Sequence, residues 1–410
     1  MNRLPPPSRP WLNRDRITAY AAIVAIVELG LFVFFVAGAH GLIVPLDRPS
    51  STDFVSFHAA GALAGAGTPW LAYDRAAHHA AEQAAAGAGI PYNYFYYPPV
   101  FLLLCAPLAR LPYLAAFVVF QAGSALACFL AMRLIRRDLP LAVFLAFPGL
   151  WWAIGTGQNA LLTASLFAAG TALLDRRPWL AGLCLGALCY KPHFGLLIPV
   201  ALVAGWHWRA FVGAVGAVAL LTGASILAFG IDAWNGFATA LAGSGEVYAA
   251  HAIFMDGLTS PYGVVLAWGG GRAAAIAVQA ATIACAAAVV GSVWRRKDTP
   301  LPIRAAVLLA ATPVAVPVLM FYDLMLVFVA LVWLSLVPRE RGAWRTAAMA
   351  AVFVGPLLSG NLSTESHWML AAVTASLAFG LTVTVAWRNV TLPRFVSSRA
   401  FSGRAAARAA

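Results

Sequence analysis

The chain consists of long apolar runs separated by short polar clusters, and the run Val143–Leu174 carries no charged residue. A helix on the surface of a soluble protein keeps a polar face. These runs are apolar all round, and about 20 such residues span a bilayer. The pattern predicts an all-α integral membrane protein with about 12 transmembrane helices. They are expected over 17–44, 113–135, 139–154, 158–174, 178–190, 192–206, 208–229, 272–294, 302–319, 321–337, 343–358 and 367–387. The first run exceeds the roughly 7–15-residue core of a signal peptide, so a retained first helix is expected. Pro98–Pro112 is apolar but short and proline-rich, and predicts a juxtamembrane or re-entrant helix on the outer side. The expected organisation is a cytoplasmic N-terminus (1–16), one polytopic membrane domain (17–387) with long outer loops at 45–112 and 230–271, and a basic cytoplasmic tail (388–410).

Composition sharpens this picture. Of 410 residues, 62% are hydrophobic and 10% charged, whereas a soluble domain has about 25% charged residues. A soluble enzyme, a disordered chain and a disulfide scaffold are excluded. The net charge of +12 would suggest nucleic acid in a soluble protein; in a membrane protein the positions of the charges matter more. With the N-terminus inside, 22 of the 27 basic residues fall in cytoplasmic segments, as positive-inside asymmetry requires. No nucleic-acid partner is expected, and the basic tail suits anionic membrane lipid. Nine of the fifteen acids fall outside, five inside, and Glu28 lies within the first span. An intramembrane carboxylate is either a neutral group bonded to a neighbouring helix or a functional one. The five cysteines form no CxxC pair and read as small buried hydrophobes. There is no GxxxxGK[ST] and no GxGxxG after a strand pattern, which argues against an ATP-driven pump.

The polar residues of the outer segments carry the candidate chemistry. Asp53 stands just before Phe54, Phe57 and Gly61, whose spacing starts a short helix. It is either the N-cap of that helix or a half-buried carboxylate facing a substrate. His58 lies close by. Tyr94-Phe95-Tyr96-Tyr97 precedes Pro98-Pro99 and reads as an interfacial aromatic belt or as a platform for a sugar or a polyprenyl chain. Further turns hold Gln158 and Asn159, Lys191 and His193, and Tyr322 and Asp323. Lys191, one of two lysines in the chain, is either an exposed turn charge or a ligand for a lipid phosphate.

Taken in order, Asp53-Phe54 with Ala59-Ala60-Gly61, Gly67-Thr68-Pro69 with Tyr73-Asp74, Tyr97-Pro98-Pro99, Gly157-Gln158-Asn159 and Lys191-Pro192 resemble glycosyltransferase family 87. This bacterial group includes polyprenyl-phosphomannose-dependent α-1,2-mannosyltransferases. The resemblance runs from about residue 50 to 200. It implies a GT-C glycosyltransferase fold with outer juxtamembrane helices, and an active site on the extracytoplasmic side of the bacterial inner membrane. It implies a polyprenyl-phosphate-linked sugar donor and a glycolipid or glycan acceptor. No cofactor is implied, and a divalent cation on the outer acids is left open. An acid in the first outer loop is the family's proposed base, which here is Asp53. Where family members carry a late histidine, this chain has Tyr322-Asp323. The resulting site is Asp53 as base and Lys191 as donor-phosphate ligand, with His58, Tyr97, Gln158, Asn159, His193, Tyr322 and Asp323 in the substrate pocket. The rival reading is a polytopic lipid or solute transporter or flippase. It shares the topology, but it would place charges mid-membrane rather than in outer loops.

Overall fold

The computed structural model describes residues 14–37, 52–249, 257–338, 344–359 and 369–391. Most of the expected N-terminus and tail, and the outer acids Asp47, Asp256 and Glu365, lie outside the described residues. In chain order the helices are α1 (Arg14–Ala37), α2 (Phe54–Gly65), α3 (Arg75–Ala86), α4 (Leu102–Leu108), α5 (Tyr113–Ile135), α6 (Leu141–Leu145), α7 (Pro148–Gly155), α8 (Ala160–Leu173), α9 (Pro178–Gly186), α10 (Ile198–Ala204), α11 (Trp208–Ala249), α12 (Pro261–Ala267), α13 (Arg272–Arg295), α14 (Leu301–Ala315), α15 (Met325–Leu334), α16 (Trp344–Ser359) and α17 (Leu370–Thr391).

Among the described residues, five helices are long and apolar enough to cross a membrane: Asp15–Val33, Tyr113–Ile135, Trp208–Ser244, Arg272–Arg295 and Leu370–Asn389. They turn large aliphatic side chains outward, Leu227 being 91% exposed, as a lipid-facing surface requires. The other seven expected spans fall on shorter helices. At 14 residues, α8 is roughly 21 Å long, short of a hydrocarbon core of about 30 Å. Helices α14 and α15 are almost wholly buried, so they meet protein instead of lipid and need not match the bilayer. The expected span 139–154 is two helices, α6 and α7, parted where Pro148 opens α7; a proline lacks the N–H that would continue the preceding helix. The segment after residue 229, expected as a loop, stays helical to Ala249 beyond a break at Gly230 (φ 75°). That second half packs on the 3₁₀ turn Pro69–Tyr73.

Two apolar clusters result. The larger joins α8, α9, α14 and α15 with the inner faces of α5 and α17. The smaller gathers α2, α4, the start of α5, Phe95 and Tyr190. Gly182 and Gly186 lie so close to the backbone of α11 that neither leaves room for a Cβ, the small-residue contact that lets membrane helices approach. Glu28 is 8% exposed and turns toward Trp151 of α7, away from lipid. Basic residues gather at one end of the bundle. Arg136, after α5, reaches the carbonyl of Ser335 beyond α15 at 3.4 Å, and Arg388 lies 4.6 Å over the Trp344 ring. The other ends of α5 and α15 begin beside the polar residues described next.

Candidate active site

Asp53 directly precedes α2, with αR backbone (φ −57°, ψ −16°) and no side-chain cap bond. It therefore does not cap the helix. Asp74 does cap its own helix, accepting from Ala77 N at 2.8 Å. The Asp53 carboxylate instead accepts from Gln158 Nε2 at 2.8 Å through Oδ2. Gln158 follows the turn after α7. In that turn Gly157 has φ +73°, and a Cβ there would stand 2.6 Å from Thr52 Oγ1, so only glycine fits. The Asp53 amide donates to Thr156 O at 2.9 Å, which locks the two segments together. Tyr97 donates its hydroxyl to Gln158 Oε1 at 3.3 Å, and Gln121 of α5 donates to Gln158 O at 3.1 Å. The carboxylate can only accept, so Asp53 sets which end of the Gln158 amide it meets, and Tyr97 holds the other end. Burial holds the Tyr97 phenol well above its ordinary value, so it remains an O–H donor. Burial also raises Asp53, opposed by the Gln158 hydrogen bond and the charge of Lys191.

Lys191 is 5% exposed, which overturns the exposed-turn reading. Its Nζ lies 3.2 and 3.3 Å from the two Asp323 oxygens, and 5.1 and 5.9 Å from the ring centres of Phe194 and Tyr322. Burial pulls the ammonium below its ordinary value, and Asp323 works against that. Lys191 is held between two 3₁₀ turns, Ala187–Tyr190 and Pro192–Gly195. Asp323 is set by the chain leaving α14. There Thr259 N donates to Leu319 O at 2.8 Å, Thr259 Oγ1 to Pro313 O at 2.7 Å and Gln279 Nε2 to Ala315 O at 2.8 Å. These bonds satisfy carbonyls that the broken helix leaves open.

Asp53, Gln158, Lys191 and Asp323 line one cavity of about 450 Å³, together with Tyr97, His193 and Tyr322. That size falls in the range of small-molecule sites. Two expected pocket residues do not line it. His58 turns to Leu111 O, 3.0 Å from Nε2, and packs on Tyr113. Asn159 is fully buried at the start of α8. The cavity also takes Ser56, Thr156, Tyr190 and the tyrosines 92, 94 and 96, which the sequence reading did not single out one by one. Glu82, read only as an outer acid, is fully buried and accepts from Asn93 N at 3.2 Å. Burial pushes it up to about 8 and pushes its neighbour His78 down to about 4, so at neutral pH the two meet as uncharged groups. Among the described residues no three His, Cys, Asp or Glu side chains cluster to hold a metal ion.

The cavity thus pairs a half-buried carboxylate, held by an amide, with a buried cation. The family model for glycosyltransferase family 87 matches residues 95–321, more than half of the chain. The match contains Tyr97, Gln158 and Lys191, begins after Asp53 and ends two residues before Asp323. No curated protein and no solved structure matches the chain.

Proposed function

Because the chain belongs to glycosyltransferase family 87, and so is a membrane glycosyltransferase, we propose that it moves a hexose from a polyprenyl-phosphate donor to a glycolipid or glycan acceptor. By the resemblance the hexose is mannose. The transfer takes place on the outer face of the bacterial inner membrane. The observation that carries this reading is the cavity itself, which joins the hydrogen-bonded carboxylate Asp53 to the buried cation Lys191.

The chemistry is a single inverting displacement. An acceptor hydroxyl attacks the anomeric carbon, the bond from that carbon to the phosphate oxygen breaks, and polyprenyl phosphate leaves with the electron pair. Asp53 takes the hydroxyl proton as attack proceeds. Gln158 occupies Oδ2 and leaves Oδ1 to the acceptor. A carboxylate whose affinity for protons is raised by burial is a stronger base than one in water. Lys191 neutralises the leaving phosphate and exchanges Asp323 for it as partner. Tyr97, His193 and Tyr322 contact the sugars from the surrounding walls. The donor's sugar–phosphate bond supplies the free energy, so the step draws on no nucleotide triphosphate.

The outer placement is supported by charge. The 22 basic residues assigned to the cytoplasm include Arg136 and Arg388, at the end of α5 and α15 far from the cavity. Membranes containing the protein, given radiolabelled polyprenyl-phosphomannose, should move label onto an acceptor. Label that only crosses the bilayer, still attached to polyprenyl phosphate, would restore the transporter reading.

A further inference from the structure

Tyr92, Tyr94 and Tyr96 alternate with Asn93, Phe95 and Tyr97 in a segment outside any helix. Side chains two residues apart in an extended run share a face. The three even-numbered rings follow one another along the cavity wall. Tyr92 and Tyr94 centroids are 4.7 Å apart, and Tyr94 and Tyr96 stack at 5.5 Å with 12° between planes. Phe95, 2% exposed, turns into the smaller apolar cluster instead.

The backbone beneath these rings is tied at four points. His79 Nε2 meets Ile90 O at 2.9 Å, and the Glu82 carboxyl accepts from Asn93 N at 3.2 Å. Ser56 Oγ donates to Tyr94 O at 3.3 Å, and Tyr73 OH donates to Tyr97 O at 2.9 Å. The guanidinium of Arg75 lies 5.2 Å over Tyr92 and 5.8 Å over Tyr94. A belt tyrosine needs only its ring among lipid headgroups and its hydroxyl in water. It does not need its backbone fixed from three other elements, nor its ring on a cavity wall beside a carboxylate.

Building on the transferase reading, we infer that this tyrosine ladder is the acceptor subsite, and that it takes the sugar ring of a glycan-bearing acceptor. Lys191 is the cation on the cavity wall, so the donor phosphate belongs at the junctions 190–193 and 320–323. In an inverting displacement the acceptor enters on the face of the anomeric carbon away from that phosphate, beside the base, and Ser56 ties the ladder to the helix that Asp53 precedes. A sugar ring has an apolar C–H face and polar edges. The first packs on tyrosine faces, and the second reach tyrosine hydroxyls and Asn93. Rigid aromatic rings provide this contact at low entropic cost. A polyprenyl chain has no polar edge for those hydroxyls to meet.

The test uses the full-length protein in detergent, polyprenyl-phosphate [¹⁴C]mannose as donor and octyl α-mannoside as acceptor. Tyr94→Ala and Tyr96→Ala should each raise the acceptor KM roughly 2- to 10-fold, the range for losing one aromatic packing partner, with donor KM unchanged. Tyr96→Phe keeps the ring and should restore most of the acceptor KM. The thermal unfolding midpoint in detergent should stay near parental for Tyr96→Phe, which reports an intact fold, and the unchanged donor KM reports an intact donor site. A rise in donor KM with acceptor KM unmoved would assign the ladder to the prenyl chain and overturn the inference. Unmoved constants for both substrates would overturn it too, with the transferase reading intact. A parent protein that moves no sugar at all would instead remove that reading, and this one with it.

Discussion

Lys191→Met tests whether the buried cation serves the fold, the reaction or both. The substitution keeps most of the side-chain volume and removes the charge, leaving Asp323, 3% exposed, without its partner at 3.2 Å. Removing one member of a buried pair costs about 3–5 kcal/mol, because the other charge stays buried and uncompensated, whereas replacing both is often near neutral. Thermal unfolding in detergent should therefore show Lys191→Met and Asp323→Asn each clearly destabilised, and the double variant recovering most of the loss. Transfer should behave differently. The double variant still lacks the cation for the leaving phosphate, and losing such a group costs on the order of 10²–10³ in rate. Lys191→Arg keeps the charge but places a larger planar group in a site only 5% exposed, so it should be partial at best. A double variant that regains both stability and transfer would reduce Lys191 to a structural residue. A Lys191→Met protein as stable as the parent would refute the buried pair itself.

Further outcomes are expected. Asp53→Asn should leave stability near parental, since no cap bond is lost, but cost on the order of 10²–10⁴ in transfer rate; near-parental turnover at equal expression would remove Asp53 from the mechanism. Asp53 acts deprotonated and its affinity for protons is raised by burial, so kcat/KM should fall as pH drops through a value above the ordinary 3.8. Tyr97→Phe removes a hydrogen bond that holds the Gln158 amide in place and should move that acid limb higher, so an unmoved limb would show that the tyrosine does not hold the amide against Asp53. Glu82 is held up to about 8 from an ordinary 4.5, so its contribution to stability is complete below about 4.5 and lost as pH rises toward 8; Glu82→Gln should flatten that fall in unfolding temperature, and an unchanged profile would refute a neutral Glu82. Ala76→Cys, on an exposed position of α3, should react with a membrane-impermeant thiol reagent in spheroplasts, and labelling only after lysis would invert the topology.

Helices α5 and α13 were legible because apolarity without a polar face, sustained for 20 residues or more, has few explanations in a folded chain. The same signal misleads for α14 and α15. A helix buried in protein and one facing lipid are equally apolar, and only neighbours distinguish them. Within the site, His58 was drawn in by proximity to Asp53. At about 100° per residue, five residues along α2 turn the ring well away from the cavity, toward Leu111. Asn159 follows Gln158 in sequence, but the turn at Gly157 sends one side chain to Asp53 and buries the other. Four adjacent aromatics read as one block conceal a division that puts Tyr94, Tyr96 and Tyr97 on the cavity and Phe95 in the core.

Asp53 and Lys191 each stood between a bland and a chemical reading because the deciding partners are remote: Gln158 is 105 residues from Asp53, and Asp323 is 132 from Lys191. The family match adds a constraint to this. It spans residues 95–321, so both cavity carboxylates lie outside it, Asp53 well before its start and Asp323 just past its end, and the partner of each, Gln158 or Lys191, lies within. The matched segment thus contributes the amide and the cation together with Tyr97 and His193, while the carboxylate that meets the amide comes from outside it. Gly157, with no room for a Cβ beside Thr52, is where the two parts touch. A side chain there would push Gln158 off Asp53 without altering any charged residue, so the carboxylate's reactivity depends on that turn as closely as on its own position.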